Sequence, residues 1–264
     1  MKTTDLIIFS GQSNMQGQTE RFPEDISSID GAYEYRFLTD EIVNLKHPVG
    51  ENINHFGKTL DAKAYTEIGE LLKDAALLAP VDDNANMVPE FCKSYVKTTN
   101  RNVVAAHVAK GSTVIDYWLK DGQGYKMLAK KVKGAIKKVN PEHIYFVWLQ
   151  GESDAVRGLL KKEYKKKMLD LNDLLKKELG VEKFGVILVG RFTMNEQDDE
   201  IIEAQKEVCN EHDDFYMLTT ITEELVYKEE YMNPFVRGHY NSAGQELIGK
   251  IAGEALGKLC NNEL

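Results

Sequence analysis

A three-layer α/β fold, with helices on both faces of a central parallel sheet, is what this 264-residue sequence predicts. Three observations carry the expectation. Short continuous apolar runs recur along the chain, each closed by a polar or glycine-containing turn. Amphipathic segments of helical length stand between them. Hydrophobic residues make up 42% of the chain, enough to bury a sizeable core within a single domain spanning residues 1–264.

The strands follow in order. Leu6-Ile7-Ile8-Phe9 is short and wholly apolar and stops at Ser10-Gly11. Val103 to Ala109 ends at Lys110-Gly111-Ser112, and His143 to Leu149 ends at Gln150-Gly151. Phe184 to Val189 ends at Gly190-Arg191, and Phe215 to Leu218 is a fifth run. Strands without polar alternation belong to a sheet covered on both faces, which is usually a parallel one. The helical segments are Val88 to Thr98, Tyr125 to Val139, Tyr164 to Leu179, Ile201 to Cys209 and Ala243 to Leu259. In each, apolar residues recur at helical spacing, such as Met127, Leu128, Val132 and Ile136. Strands alternating with such helices give right-handed crossovers in three layers. The stretch from Phe22 to Asp61, with scattered Gly, Pro and Asn, is expected to be an irregular rim over the site.

Composition narrows the function classes. The formal net charge of −9 argues against a nucleic-acid or anionic-membrane partner, both of which require a basic surface. The lysine-rich stretches Lys126–Lys138 and Lys161–Lys167 are read as solvated helix faces. Cys92, Cys209 and Cys260 are few, odd in number and far apart, so they are read as free thiols. The first apolar run is too short for a signal peptide or a membrane span, and the expected location is the cytoplasm.

In an open parallel sheet, sites form beyond the carboxyl ends of the strands. There the chain places Ser10-Gly11-Gln12-Ser13-Asn14-Met15, Lys110-Gly111-Ser112-Thr113 and Gln150-Gly151-Glu152-Ser153-Asp154. By position alone, Ser13 is either a helix N-cap or a nucleophile awaiting a base. His239, in a glycine-containing turn before the last helix, is either a surface residue or that general base. His107 and His143 lie on strands, His212 follows a helix, and His47 and His55 fall in the rim. The Ser13 and Gly111 N–H groups and the Gln150 amide are either turn chemistry or oxyanion donors.

Five blocks, in order, resemble one family. Gly11-Gln12-Ser13-Asn14-Met15 with Gly17, Val88-Pro89-Glu90-Phe91, and Gly111-Ser112-Thr113-Val114-Ile115 through Trp118 are the first three. Trp148-Leu149-Gln150-Gly151-Glu152-Ser153-Asp154-Ala155 and His239-Tyr240-Asn241-Ser242-Ala243-Gly244 complete the set. Together they are similar to the sialate O-acetylesterase and acetylxylan esterase-related branch of the SGNH hydrolases, carbohydrate esterase family 6. The resemblance implies a flavodoxin-like fold and hydrolysis of acetyl esters on a carbohydrate, without metal or cofactor. It puts Ser13 in the nucleophile's place and His239 in the base's. The oxyanion hole falls to Ser13, Gly111 and Gln150, and Gln12, Asn14, Ser112 and Trp118 flank the substrate.

Two departures from the pattern matter. Ser112 stands where the family commonly has glycine, which leaves the oxyanion donor of that block open between Gly111 and Ser112. Val236 stands three residues before the histidine, where SGNH enzymes place the aspartate that orients it. Glu152 is the first candidate to replace that acid, ahead of Asp154, Glu229 and Glu230; a backbone carbonyl is the alternative. Tyr33, Tyr35, Phe37 and Trp118 are candidates to stack on a sugar or to pack the core. Two competing functions remain: an esterase or thioesterase for small non-sugar esters, and a non-catalytic carbohydrate-binding protein on a degenerate fold.

Overall fold

The structure is a computed structural model that describes residues 2–21, 23, 25–51 and 85–262. The chain begins with β1 (Thr4–Gly11), α1 (Ser13–Gln16), β2 (Ala32–Arg36) and β3 (Glu41–Asn44). It continues through α2 (Val88–Thr99), β4 (Asn102–Ala109), a 3₁₀ turn (Ile115–Trp118), α3 (Gln123–Val139), β5 (Ile144–Leu149) and α4 (Glu152–Val156). It closes with α5 (Lys161–Leu179), β6 (Lys183–Ile187), α6 (Glu196–Glu211), β7 (Phe215–Thr219), α7 (Thr222–Leu225) and α8 (Ser242–Cys260).

Among the described residues the strands form one seven-stranded sheet in the order β3-β2-β4-β1-β5-β6-β7, parallel except for the edge pair β2–β3. The fold is therefore the α/β architecture read from the sequence. β1 lies at its middle, paired in register with β4 (Phe9 with His107) and β5 (Phe9 with Val147). Its unbroken apolar run follows from this position. Leu6 and Ile8 point into a core shared with α3, α5 and α6, while Ile7 and Phe9 point into a second core shared with α2 and α8. All four side chains are fully buried. At about 1.5–3 kcal/mol each, they fasten β1 and thereby the segment that follows it.

α2 and α8 approach closely because α8 presents glycines to α2. A Cβ on Gly249 would lie 2.4 Å from the Met87 carbonyl oxygen, and one on Gly253 would lie 2.2 Å from that of Phe91. The turn that carries His239 immediately precedes α8.

Three expectations need correction. Part of the supposed rim is regular: β2 and β3 form a hairpin on the sheet edge, while Phe22, His55 and the remainder of 52–61 fall outside the described residues. Its aromatic residues do not face a sugar. Tyr35 is buried and donates its hydroxyl to Asp40 at 2.9 Å, and Tyr33 and Phe37 pack against the core. Lys131 is not on a solvated face. It is fully buried and pairs with the equally buried Glu51 at 2.7 Å.

Candidate active site

Backbone geometry at the end of β1 positions Ser13. Gly11 has φ +152°, and a Cβ there would fall 1.9 Å from the Leu149 carbonyl oxygen. Only glycine therefore lets the ends of β1 and β5 lie together. The chain then turns through the extended Gln12 into α1, whose first residue is Ser13. At that position the Ser13 N–H has no intrahelical acceptor.

Ser13 meets His239. The Oγ–Nε2 distance is 2.8 Å, and Nδ1 lies 2.9 Å from the Arg237 carbonyl oxygen. A carbonyl can only accept, so Nδ1 carries the proton and Nε2 offers its lone pair to the serine hydroxyl. That tautomer is the one a general base needs. Burial pushes the imidazole below its usual pKa, against hydrogen bonds to the backbone of Arg237 and Val236. The turn itself is built on Asn233, whose Oδ1 accepts from the N–H groups of Phe235 and Val236 and whose Nδ2 donates to the Gln18 carbonyl. The residue in the aspartate's place is thus a ligand of the turn, and the Arg237 carbonyl does the orienting.

Glu152, the first candidate for that role, does not touch the imidazole. Its Oε1 accepts from Asn14 Nδ2 at 2.8 Å. Asn14 in turn donates to the Gly238 carbonyl at 3.1 Å and accepts from Tyr240 N–H at 3.3 Å. Glu152 therefore reaches the histidine turn only through Asn14. Burial raises the Glu152 carboxyl to about 7, and its Oε2 has no hydrogen-bond partner among the described residues. Asn14, expected to bind substrate, is instead a buried clamp joining the first, fourth and fifth blocks. Asp154 accepts from Ile115 N–H and Gln150, so it ties the fourth block to the third. Glu229 and Glu230 are exposed.

Two further assignments change. Gln150 is fully buried, and its Nε2 faces the Thr113 carbonyl, the Asp154 carboxylate and Gln12 Oε1. Two N–H bonds directed at three internal acceptors leave none for an oxyanion. Trp118 is fully buried with its ring edge-on to Trp148, and its Nε1–H donates to Thr113 Oγ1. It holds the third block in place and cannot stack on a sugar. The other expected residues line the site. Gln12, Ser13, Gly111, Ser112 and His239 border a cavity of about 710 Å³, within the range of small-molecule sites. Ser112 has φ +60°, a left-handed conformation that explains the family's preference for glycine there.

Several lining residues were not singled out in the sequence. Lys110 and Arg157 bring two cations to the cavity, Phe192 packs edge-on to the His239 ring, and Gln16 stands beside Gly111. Among the described residues, no aspartate or glutamate is in the lining and neither cation pairs with a carboxylate. The described residues contain no group of three or more His, Cys, Asp or Glu side chains fit to hold a metal ion, and no helix long and apolar enough to cross a membrane.

Comparison with known proteins places this arrangement. A protein from Arabidopsis thaliana has 16% identity and a TM-score of 0.64, with 98% of each chain covered. NanS has 11% identity and a TM-score of 0.60, again with 98% of each covered. A carbohydrate acetylesterase from Xanthomonas citri has 13% identity and a TM-score of 0.58, covering 99% of this chain and 57% of that one. At these identities the likeness is one of fold. No curated protein matches the chain. The family described as "Carbohydrate esterase, sialic acid-specific acetylesterase" matches residues 3–258, from the start of β1 to the last turns of α8. The chain belongs to that family of carbohydrate esterases, and it is a carboxylic ester hydrolase.

Proposed function

We propose that this esterase removes O-acetyl groups from an acidic sugar of the sialic acid class through an acetyl-enzyme on Ser13. The observation that carries the reading is the 2.8 Å contact between Ser13 Oγ and His239 Nε2, with the opposite ring nitrogen anchored on the Arg237 carbonyl. In the proposed cycle, Nε2 takes the hydroxyl proton as Oγ attacks the acetyl carbonyl. The tetrahedral oxyanion is met by the N–H groups of Ser13 and Gly111. Collapse expels the sugar oxygen, which receives the proton from His239. Water, deprotonated by the same nitrogen, then attacks the acetyl-serine, and acetate leaves as Ser13 regains its proton. The intact serine–histidine pair favours this over a non-catalytic binding protein.

The choice of an acidic sugar rests on local charge. The chain carries −9 overall, yet among the described residues its cavity is lined by Lys110 and Arg157 and by no acidic side chain. A carboxylate on the substrate complements that pair. A panel of O-acetylated sialic acids and acetylated xylo-oligosaccharides tests the choice. The sialic acids are expected to have the higher kcat/KM, and Lys110→Ala with Arg157→Ala is expected to raise their KM more than that of the neutral sugars. Preference for the neutral oligosaccharides, or an equal effect on both, moves the reading to an acetylxylan esterase.

A further inference from the structure

Gly111 N–H, one of the two oxyanion donors in this reading, is already occupied. It donates to Gln16 Oε1 at 2.7 Å. Gln16 is the last residue of α1, three positions after Ser13, 5% exposed, and borders the same cavity. Gly111 lies against the nucleophile, since a Cβ built on it would sit 3.3 Å from Ser13 Cβ and 3.4 Å from Gln16 Oε1. The amide oxygen of Gln16 thus occupies the acceptor position that an acetyl carbonyl attacked by Ser13 requires.

We infer that Gln16 is a resident occupant of the oxyanion hole, displaced when the substrate reacts, and that it thereby sets the enzyme's KM. The inference rests on the reading of Ser13 as nucleophile. An amide oxygen is at least as good an acceptor as an ester carbonyl, so a neutral bound ester gains little by displacing it. The tetrahedral oxyanion gains more, because hydrogen bonds to a charged acceptor are roughly twice as strong. Displacing Gln16 costs the same whichever oxygen takes its place, so the occupant weakens the bound ester and the transition state alike, and its effect appears in KM with kcat nearly unchanged. No covalent bond changes; Gly111 N–H exchanges one acceptor for another as the Gln16 side chain turns toward the cavity.

Gln16→Met keeps the side chain's length and removes the acceptor. It is expected to lower KM for 4-nitrophenyl acetate about 2- to 10-fold, the worth of one net hydrogen bond, with kcat/KM rising accordingly. Gln16→Glu is expected to act oppositely, because a carboxylate holds the N–H more tightly and repels the oxyanion. Opposite signs for the two variants are not produced by a packing role, which would depress kcat in both. An unchanged or higher KM in Gln16→Met overturns the inference. A crystal structure of wild-type enzyme phosphonylated on Ser13 tests it without any variant. A phosphonyl oxygen on Gly111 N–H with Gln16 moved away supports it, and Gln16 still bonded to Gly111 overturns it. Turnover by Ser13→Ala separates the two levels. If that variant is active, the nucleophile is wrong; if it is inactive and Gln16→Met leaves KM in place, only the role of Gln16 fails.

Discussion

Glu152→Gln distinguishes a carboxylate acting on the histidine from one that is buried for structural reasons. Glu152 is 3% exposed, and its pKa is raised from 4.5 to about 7, chiefly by burial. Between those values the folded protein binds a proton that the unfolded chain has released, so stability falls as pH rises through the window. Two and a half units at 1.36 kcal/mol each amount to about 3 kcal/mol, of which about 2–3 kcal/mol is lost between pH 5 and pH 8.5. Glutamine has no charge to bury and keeps an oxygen for Asn14 Nδ2, so the variant lacks this loss. Urea unfolding of both proteins at the two pH values measures it. Asp154, raised to about 6 by burial, is present in both proteins and enters the difference only through its smaller charge interaction with Glu152. The variant is expected to gain about 2–3 kcal/mol on wild type from pH 5 to pH 8.5, while its kcat falls less than about tenfold, the worth of one altered hydrogen bond. Parallel stability profiles would refute the burial argument. A kcat loss of about 10²- to 10⁴-fold, the size seen when a triad orienter is removed, would show that Glu152 acts on the imidazole after all.

Two further outcomes follow from the same geometry. Because burial lowers the His239 pKa and the unprotonated ring is the active form, kcat/KM should lose activity as pH falls through a midpoint below the usual histidine value of about 6.5; a midpoint at 7 or above contradicts the neutral, carbonyl-held ring. Trp118→Ala should cost about 3–5 kcal/mol in urea unfolding, as removal of a fully buried indole does; a loss under about 1 kcal/mol would return Trp118 to the candidates for sugar contact.

What was legible in the sequence divides along physical lines. The central strands were readable because burial on both faces demands uninterrupted apolar runs, and β1, β4 and β5 have them. β2 was not, because it carries the buried Glu34, whose carboxylate accepts from Gly50 N–H and pairs with Arg36. Local polarity there points to a loop, and only tertiary partners make it a strand. Ser13 was readable as a residue type at a strand end and His239 as one in the turn before the last helix, and the structure brings them into contact. Gln150, Asn14 and Trp118 lie in equally recognisable blocks, but a motif does not say which way a side chain points. All three turn inward and hold the blocks together. The group that orients His239 is a main-chain carbonyl, which no residue type announces. Gln16 sits inside the first block, and only its contact with Gly111 reveals what it does.

Mass spectrometry after treatment with a fluorophosphonate tests the central claim, that Ser13 is the nucleophile activated by His239. One added phosphonyl group is expected, located on Ser13, with no labelling in Ser13→Ala and a loss of several orders of magnitude in its esterase rate. Labelling on another serine, or esterase activity in Ser13→Ala close to that of wild type, would contradict it.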